Sequence, residues 1–417
     1  MSVHRMSEES PHERGNGTFS ALAVVPPGLE EAAAADLSAL GAETVQPLRR
    51  AVASRVDQAG FYRLHLLARL PFRLLRELAR FPCRDRRDLY MSVQEAADWD
   101  RWLPPQRSFR VEASGALPGL GHSHFNALQV KNALVDQQRQ RWGERSSVDL
   151  EDPDLVLHLH LGQRRQGGGE AVLSLDGSGG SLHRRGYRAA VGLAPLKENL
   201  AAGLIALTGW DGRVPLVDPL CGSGTLLIEA AAMALGRAPG LLWQGAADPV
   251  RPPLPRARPF SLERWPDFDA DLWHREVGKA VALARDGLAD GTSLAPIVGW
   301  ERDPAVLEQA QTNLAAAGLT RAVQLQRGDA RDFMPPPGEP GILVCNPPYG
   351  ARLGASDDLE ELYADLGEMV KQHCGGWTLW LLSGNPALTG ALRMKASRRI
   401  PISNGGIDCR WLKYEIR

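Results

Sequence analysis

The 417-residue sequence has no uninterrupted apolar run long enough to cross a bilayer, and charged residues interrupt its Ala-rich stretch at 30–40. Residues 1–18 are polar and lack the apolar centre of a secretory signal, so we expect a disordered tail and a cytoplasmic protein. The five cysteines form no CxxC pair, which argues against a zinc site and a disulfide scaffold. We therefore expect five buried thiols and no bound metal.

Lysine is also scarce, since it supplies six of the 48 basic residues, and the formal net charge is only −1. Such a balance argues against indiscriminate binding to nucleic acid. It conceals a local excess, because residues 49–110 contain fourteen Arg and seven Asp or Glu. This segment is either a contact for phosphates or a solvated face, and charge alone does not distinguish the two.

The length predicts two or three domains, and the first half of the chain predicts two small α/β units. In residues 19–89 we expect a strand at 19–25, a helix at 29–40, a strand at 60–67 and a helix at 69–80. In residues 90–188 we expect a strand at 108–113 and a helix at 124–142. Two further strands, at 154–161 and 170–176, are joined by a Gly-rich link.

Residues 189–417 alternate between strands and helices. The predicted strands cover 214–218, 297–301, 323–327, 341–346 and 377–383, and helices are predicted between them. A Pro/Trp-rich insertion covers 238–266. This order predicts a parallel sheet covered on both faces, with ligands at the carboxyl ends of the strands.

The sequence DPLCGSGT follows the first of these strands and precedes a helix. Gly222 and Gly224 allow a tight turn and a close approach to a ligand, and free N–H groups at the helix start can face its polar end. The third glycine of a nicotinamide-dinucleotide fingerprint is absent, which disfavours an oxidoreductase. Glu301 and Asp329 end the next two strands, where they could accept hydrogen bonds from a ribose and an adenine. Together these strand ends outline a nucleoside pocket.

The sequence Asn346-Pro347-Pro348-Tyr349 follows another apolar strand. An aromatic amine is a poor nucleophile, because its lone pair is delocalised into the ring. The Asn346 side chain and the Pro347 carbonyl can accept its two N–H groups, and Tyr349 offers a face for a base that has left its stack. This motif predicts methyl transfer to an exocyclic amine, but it does not specify guanine, adenine or cytosine.

These motifs resemble the class I methyltransferases that carry an Asn/Asp-Pro-Pro-Tyr/Phe motif. The segments HRRGYR at 183–188, APLKENLAA at 194–202, DPLCGSGTLLIEAA at 218–231, NPPYG with Arg352 and Leu353, GGW at 375–377 and NGGIDC at 404–409 extend the likeness. They resemble the THUMP-containing guanine-N2 methyltransferases of 23S ribosomal RNA, the RlmL-type or UPF0020 family. The likeness extends to specific motifs over about 174–409. Before that, only the pattern of predicted helices and strands resembles the family.

The resemblance implies an α/β fold with a Rossmann-like class I methyltransferase domain at 189–417. It also implies a ferredoxin-like domain at 19–89, a THUMP RNA-binding domain at 90–188, and an RNA contact by the Arg-rich segment. S-adenosylmethionine would be the cofactor and RNA the partner, as 23S rRNA or a large-subunit assembly intermediate. The expected cofactor-binding residues are Asp218, Cys221, Gly222, Ser223, Gly224, Thr225, Glu301, Asp329 and Asn346. The expected catalytic residues are Asn346, Pro347, Pro348 and Tyr349, and the expected RNA contacts are Arg184, Arg185, Arg188 and Lys197.

Two alternatives remain open. An adenine-N6 or cytosine-N4 methyltransferase would use the same motif, although a THUMP module predicts structured RNA as substrate. A non-catalytic RNA-binding factor for ribosome assembly would need no cofactor, and the intact motifs argue against it.

Overall fold

A computed structural model describes residues 17–164, 167–188, 196–241, 259–285, 287–349 and 356–417. The predicted tail up to residue 16 and most of the predicted insertion, at 242–258, lie outside these ranges. The elements of the first half are β1 (Phe19–Val24), α1 (Glu30–Ala39), β2 (Glu43–Leu48), β3 (Ala51–Val56), α2 (Gln58–Leu67), β4 (Arg73–Pro82), α3 (Arg86–Glu95), α4 (Trp99–Trp102), β5 (Phe109–Gly115), α5 (Ser123–Trp142), β6 (Leu155–Gln163) and β7 (Gly169–Asp176).

The described strands of the first half form one sheet in the order β2-β3-β1-β4-β7-β6-β5. The antiparallel pair β4–β7 joins the first predicted unit to the second, so the strands of both units belong to one sheet. The predicted order of β5, α5 and the antiparallel β6–β7 pair is confirmed. The two N-terminal units are therefore structurally continuous.

Two predicted elements of the first unit are wrong. Residues 60–67 belong to helix α2, whose N-cap Asp57 accepts from the Gly60 N–H at 2.6 Å. This helix is buried on several sides, as shown by Phe61, Tyr62, Leu64 and Leu66. Its apolar residues therefore do not recur at the helical spacing that would identify a helix in the sequence. Residues 73–82 form strand β4 in place of the predicted helix, because hydrogen bonding to both β1 and β7 overrides a Leu/Arg/Glu-rich, helix-favouring composition.

The second half contains a second sheet. Its elements are α6 (Glu198–Thr208), β8 (Leu216–Asp218), α7 (Thr225–Ala234), α8 (Ala270–Ala282), β9 (Ile297–Glu301), α9 (Pro304–Ala316), β10 (Gln324–Arg327), β11 (Ile342–Cys345), α10 (Ser356–His373), β12 (Thr378–Ser383), α11 (Pro386–Ala391), β13 (Arg398–Asn404) and β14 (Ile407–Glu415). The order is β10-β9-β8-β11-β12-β14-β13 among the described strands.

The five strands β8 to β12 pair in parallel, which confirms the predicted parallel sheet. Strand β14 runs antiparallel to β12 and forms a hairpin with β13 at the sheet edge. The sequence patterns predicted no elements in this hairpin. Within the described ranges, no helix is both long and apolar enough to span a membrane.

The two sheets are joined by helix packing and by buried hydrogen bonds. Helix α2 lies against α8, where Arg63 pairs with the buried carboxylate of Glu276 at 3.1 Å. The Asn199 amide on α6 donates to the Leu70 carbonyl at 2.9 Å. These contacts fix the N-terminal sheet on the domain that carries the predicted active site.

The glycine at position 367 on α10 allows that helix to pack closely. A Cβ atom there would lie 2.5 Å from the Leu392 carbonyl oxygen, a backbone atom. We expect Gly367→Ala to lower the free energy of unfolding by about 1–3 kcal/mol through overpacking, visible as a lower melting temperature in calorimetry.

The matched control is Gly278→Ala on α8, where an added Cβ would contact nothing within 4 Å. That change should stabilise the protein by about 0.5–1 kcal/mol, because alanine favours helix. Equal effects of the two substitutions would contradict the packing argument.

Candidate active site

The glycine loop after β8 crosses the carboxyl end of β9. The Cys221 N–H donates to the Trp300 carbonyl at 2.9 Å, and the Gly222 N–H donates to Glu301 Oε2 at 3.2 Å. The second Glu301 oxygen accepts from the Asp303 N–H at 2.9 Å. The structure thus brings together the first two predicted motifs.

The glycines of this loop adopt the left-handed conformation, with φ of 52° at Gly222 and 79° at Gly224. A Cβ on Gly222 would meet nothing within 4 Å, so the backbone faces open space there. Gly224 is the N-cap of α7. Ser223 and Thr225 place their hydroxyl oxygens 3.4 Å apart, and the Thr225 hydroxyl accepts from Arg188 at 3.1 Å. The open glycine backbone beside a strand-end acid fits a nucleoside cofactor.

Asp218 ends β8 and is 2% exposed. Burial raises the pKa of its carboxyl from 3.8 to about 8, and its Oδ1 accepts from the Leu220 N–H at 3.1 Å. The nearby Glu301 carboxylate contributes to this raised pKa, so a cationic group of a ligand would favour the ionised form of Asp218. Cys221 and Cys345 are also buried, and burial raises the pKa of both thiols. They are neutral packing groups, as are the other three buried free cysteines.

Asp329 follows β10 and is engaged by one arginine. Arg331 binds both carboxylate oxygens through its side chain, at 3.0 and 2.7 Å, and this pairing lowers the pKa of Asp329 to about 2. The Arg331 side chain is half exposed, so it can move aside. The predicted adenine contact by Asp329 would require it to share or release this guanidinium.

Asn346 and Pro347 follow β11 directly. Asn346 Oδ1 is buried and has no hydrogen-bond partner in the part of the chain that the structure describes. An unsatisfied buried acceptor costs about 1–3 kcal/mol, so a ligand that donates to it recovers that energy. Pro347 is buried, whereas Pro348 and Tyr349 are partly exposed. Neither proline has an N–H group.

Tyr349 is held by the β13–β14 hairpin. The Asn404 amide donates to Tyr349 Oη at 2.7 Å, and a Cβ on Gly384 would lie 3.3 Å from Tyr349 Cδ2. Burial raises the pKa of Tyr349, which keeps the phenol neutral. We did not predict this role for Asn404 from sequence, although it lies in the NGGIDC segment that carries part of the resemblance.

The four predicted RNA-contact residues separate into two groups. Arg184 and Lys197 are exposed, and the Lys197 ammonium lies 5.0 Å from the centre of the Phe72 ring. Arg185 is 8% exposed and donates to the carbonyls of Leu182 and Arg69.

Arg188 is also largely buried, and it pairs with Glu198 at 3.1 Å. Arg185 lies at the junction between the two sheets, whereas the Arg188 guanidinium contacts Glu198 on α6 and Thr225 at the start of α7. Both guanidinium groups are engaged within the protein, which argues against their prediction as RNA contacts.

Ion pairs within the fold engage six of the fourteen arginines of the Arg-rich segment at 49–110. Ion pairs join Arg63 to Glu276, Arg73 to Glu112 and Asp176, Arg76 to Asp267, Arg80 to Glu77 and Glu170, Arg84 to Asp88, and Arg110 to Glu112. Arg49, Arg50, Arg86 and Arg87 are exposed and form no ion pair with the described residues. The segment as a whole is therefore not a continuous phosphate-binding face.

Several residues that carry the resemblance lie outside the described ranges. They are Ala194, Pro195, Gly350, Arg352 and Leu353.

Three family models match successive parts of the chain. An RlmL ferredoxin-like domain matches residues 20–75, a THUMP domain matches 83–167, and the RMKL-like methyltransferase domain UPF0020 matches 185–413. The last of these covers more than half of the chain.

Curated relatives and a solved structure match nearly the whole chain. "Putative RNA methyltransferase" of Synechocystis sp. is 44% identical over 95% of this chain and 96% of its own length. The ribosomal RNA large subunit methyltransferase K/L of Pseudomonas syringae pv. tomato is 38% identical over 94% of this chain, which spans 50% of that protein. The crystal structure of "a putative methyltransferase complexed with SAH" is 27% identical, covers 97% of this chain and 99% of its own, and has a TM-score of 0.80.

The raised pKa of Asp218 predicts a pH dependence of stability. Between pH 3.8 and about 8, the folded protein keeps a proton on this carboxyl that the unfolded chain has lost. The stability linked to that proton is complete at low pH and is lost as the pH rises toward about 8. Without cofactor, we expect Asp218→Asn to melt above wild type by a margin that grows between about pH 5 and about pH 8.

The control is the same substitution at Asp271, which is exposed on α8. This control removes a carboxylate at the surface, so it reports the effect of losing one charge without burial. An Asp218→Asn margin that does not change with pH would contradict the proposed protonation.

Proposed function

The chain belongs to the UPF0020 family of RMKL-like methyltransferases, and from this membership we propose that it methylates N2 of a guanosine in 23S ribosomal RNA, in the cytoplasm. It is an S-adenosylmethionine-dependent methyltransferase with a ferredoxin-like and a THUMP domain. The names of the K/L relatives support rRNA as substrate. This chain spans about half the length of those relatives, so their full activity is not transferred to it.

The single observation that carries methylation of an exocyclic amine is the buried Oδ1 of Asn346, which has no partner among the described residues. The choice of guanine rests on the family membership. Asn346 lies beside Pro347, at the end of β11, next to β8 in the sheet. An exocyclic amine has two N–H groups, and Asn346 Oδ1 and the Pro347 main-chain carbonyl oxygen can accept one each. A non-catalytic binding factor would have no use for an unsatisfied acceptor at this position.

The residues of the site suggest a division of roles. Asp218, the Gly222–Gly224 loop and Glu301 would hold the cofactor, which supplies an electrophilic methyl group when bound. Asn346 and Pro347 would orient the amine so that its lone pair points toward that methyl group. Tyr349, fixed by Asn404, would stack the extruded base, a contact worth about 1–3 kcal/mol.

The proton balance of the transfer needs no dedicated base. A cofactor held by the glycine loop and Glu301 would supply the methyl group to N2, and its sulfur would keep the electron pair of the carbon–sulfur bond. The methylated nitrogen then carries a positive charge and releases its proton to water. Asn346 remains neutral throughout, so it accepts hydrogen bonds before and after the proton leaves.

We expect Asn346→Ala to lower kcat by about 10²–10³-fold, the range seen when one preorganised hydrogen-bonding group is removed. Cofactor affinity in calorimetry should change little, because the glycine loop and Glu301 remain. The matched variant Asn346→Asp retains a side-chain acceptor and should keep more activity than the alanine variant. An alanine variant with wild-type turnover would contradict the role of Asn346.

The target base is identified by its product. RNA from a strain that lacks the gene should gain N2-methylguanosine when it is incubated with the protein and labelled S-adenosylmethionine, as measured by mass spectrometry. N6-methyladenosine or N4-methylcytidine would replace the guanine assignment and leave the enzyme class intact. No binding of S-adenosylmethionine in calorimetry would favour the non-catalytic alternative.

A further inference from the structure

The turn between β1 and α1 of the N-terminal sheet contacts the β13–β14 hairpin. The Ser403 N–H, on strand β13, donates to the Pro27 carbonyl at 3.3 Å. A Cβ on Gly28 would overlap the Pro401 carbonyl oxygen, so the backbones of the turn and the strand meet directly. We call residues 26–29 the docking turn. It lies against the outer edge of β13, which ends the second sheet among the described strands.

The docking turn has a fixed shape within its own domain. The Leu29 N–H donates to the Pro26 carbonyl at 3.1 Å, which closes the turn. The Glu30 carboxylate accepts from the Gly28 N–H at 2.8 Å and from the Arg50 N–H at 3.0 Å. These bonds tie the turn to the connection between β2 and β3, so it cannot simply follow a movement of the hairpin.

The docking turn is also anchored on the methyltransferase domain. Leu29 is fully buried, and a Cβ on Gly203 of α6 would overlap its side chain. The same helix binds the N-terminal half a second time, because the Asn199 amide donates to the Leu70 carbonyl. The turn can therefore hold β13 in a fixed position relative to the body of the methyltransferase domain.

One face of the hairpin connects the docking turn to Tyr349. Ile402 and Asn404 are two residues apart on β13, so their side chains share this face, and Ile402 pairs across the hairpin with Cys409. A Cβ on Gly28 would lie 3.2 Å from Ile402 Cδ1, which places the turn at one end of the face. At the other end, Asn404 donates to Tyr349 Oη at 2.7 Å. A displacement of the turn would therefore move the strand that holds the tyrosine.

The docking turn takes the place of a further strand at this edge. Strand β13 pairs with β14 alone among the described strands, and the N–H groups on its outer side have no strand to bind. Pro401 has no N–H, and the turn accepts from that of Ser403. The N-terminal half thus completes the outer edge of the hairpin beside Asn404.

We propose that the docking turn is a positioning element for methyl transfer. It fixes β13 so that Asn404 holds the Tyr349 ring where the target base stacks. This rests on the proposed RNA methyltransferase function, which assigns Tyr349 to the base. The N-terminal half would then contribute to the rate of transfer on bound RNA, and not only to the binding of RNA.

The test compares Gly28→Ala with the control Gly41→Ala. The two glycines have φ of 92° and 90°, so alanine incurs similar backbone strain at both positions. At Gly41 the new Cβ would lie 3.2 Å from the end of the Arg63 side chain, which can move, whereas at Gly28 it would overlap the backbone of Pro401. Only Gly28→Ala should therefore displace β13.

The assay measures a single turnover on 23S ribosomal RNA from a strain that lacks the gene, with enzyme and S-adenosylmethionine at saturating concentrations. The temperature stays below the melting temperatures of all variants. We expect Gly28→Ala to slow this step by about tenfold or more, because a misplacement of about 1 Å can cost about 10²-fold in rate. Its affinity for S-adenosylmethionine in calorimetry should remain that of wild type, and Gly41→Ala should keep the wild-type rate.

A double-mutant cycle with Asn404→Ala separates positioning from a general loss of stability. If the turn acts through Asn404, the two effects on rate are not additive in free energy, and the double variant is no slower than the slower single variant. Independent effects would multiply instead. If Gly28→Ala does not fold, Ile402→Val replaces it in the cycle, because it removes only the methyl group nearest the turn, with a smaller slowing that must also be non-additive.

Three results would overturn the positioning role while methylation by wild type still stands. They are a wild-type rate in Gly28→Ala, equal slowing by Gly41→Ala, and multiplied effects in the double variant. Failure of the wild-type protein to methylate this RNA would instead overturn the proposed function, and this proposal with it.

Discussion

The parallel pairing of β8 with β9 and with β11 is the constraint on which the site depends. The register aligns Asp218 with Gly299 and Val217 with Leu343, so all three strands end at one edge of the sheet. Gly299 makes the alignment possible, because a Cβ there would lie 2.5 Å from Leu227 and 3.0 Å from Cys221 Sγ. A larger residue would crowd the side chains of Cys221 in the glycine loop and of Leu227 just after it.

The junction between the sheets explains why so many arginines are withdrawn from the surface. Arg185 lies 3.9 Å from Glu229, and both side chains are almost fully buried. Burial raises the pKa of Glu229, although nearby Arg185 and Arg69 oppose that shift. Buried ion pairs add little net stability, but they restrict geometry when their hydrogen bonds are directional. We infer that this junction sets the orientation of the N-terminal sheet relative to the active site, which an enzyme that binds RNA at one place and modifies it at another requires.

The sequence was sufficient for the parallel sheet and for the placement of the predicted site residues at its edge. A residue that directly follows an apolar strand in the sequence lies at the end of that strand in the fold. Local sequence was therefore enough to place Asp218, Glu301 and Asn346. The errors came where long-range packing decided the outcome. Strand β4 has a helix-favouring composition and becomes a strand because two neighbours pair with it. The burial of Arg185 and the bond between Asn404 and Tyr349 join residues far apart in the chain, and no local pattern reports such contacts.

The choice of base cannot come from Asn346 and Pro347, since two acceptors suit any exocyclic amine. Selection must come from the walls around the ring, and the β13–β14 hairpin supplies one of them. Ile407 at its turn is 51% exposed, and a Cβ on Gly384 would lie within 3.3 Å of both the Ile407 side chain and the Tyr349 ring. A single hairpin thus holds the stacking tyrosine and would border the space that the base enters. Discrimination between guanine, adenine and cytosine would then depend on the β13–β14 hairpin, which lies outside the motifs at the strand ends.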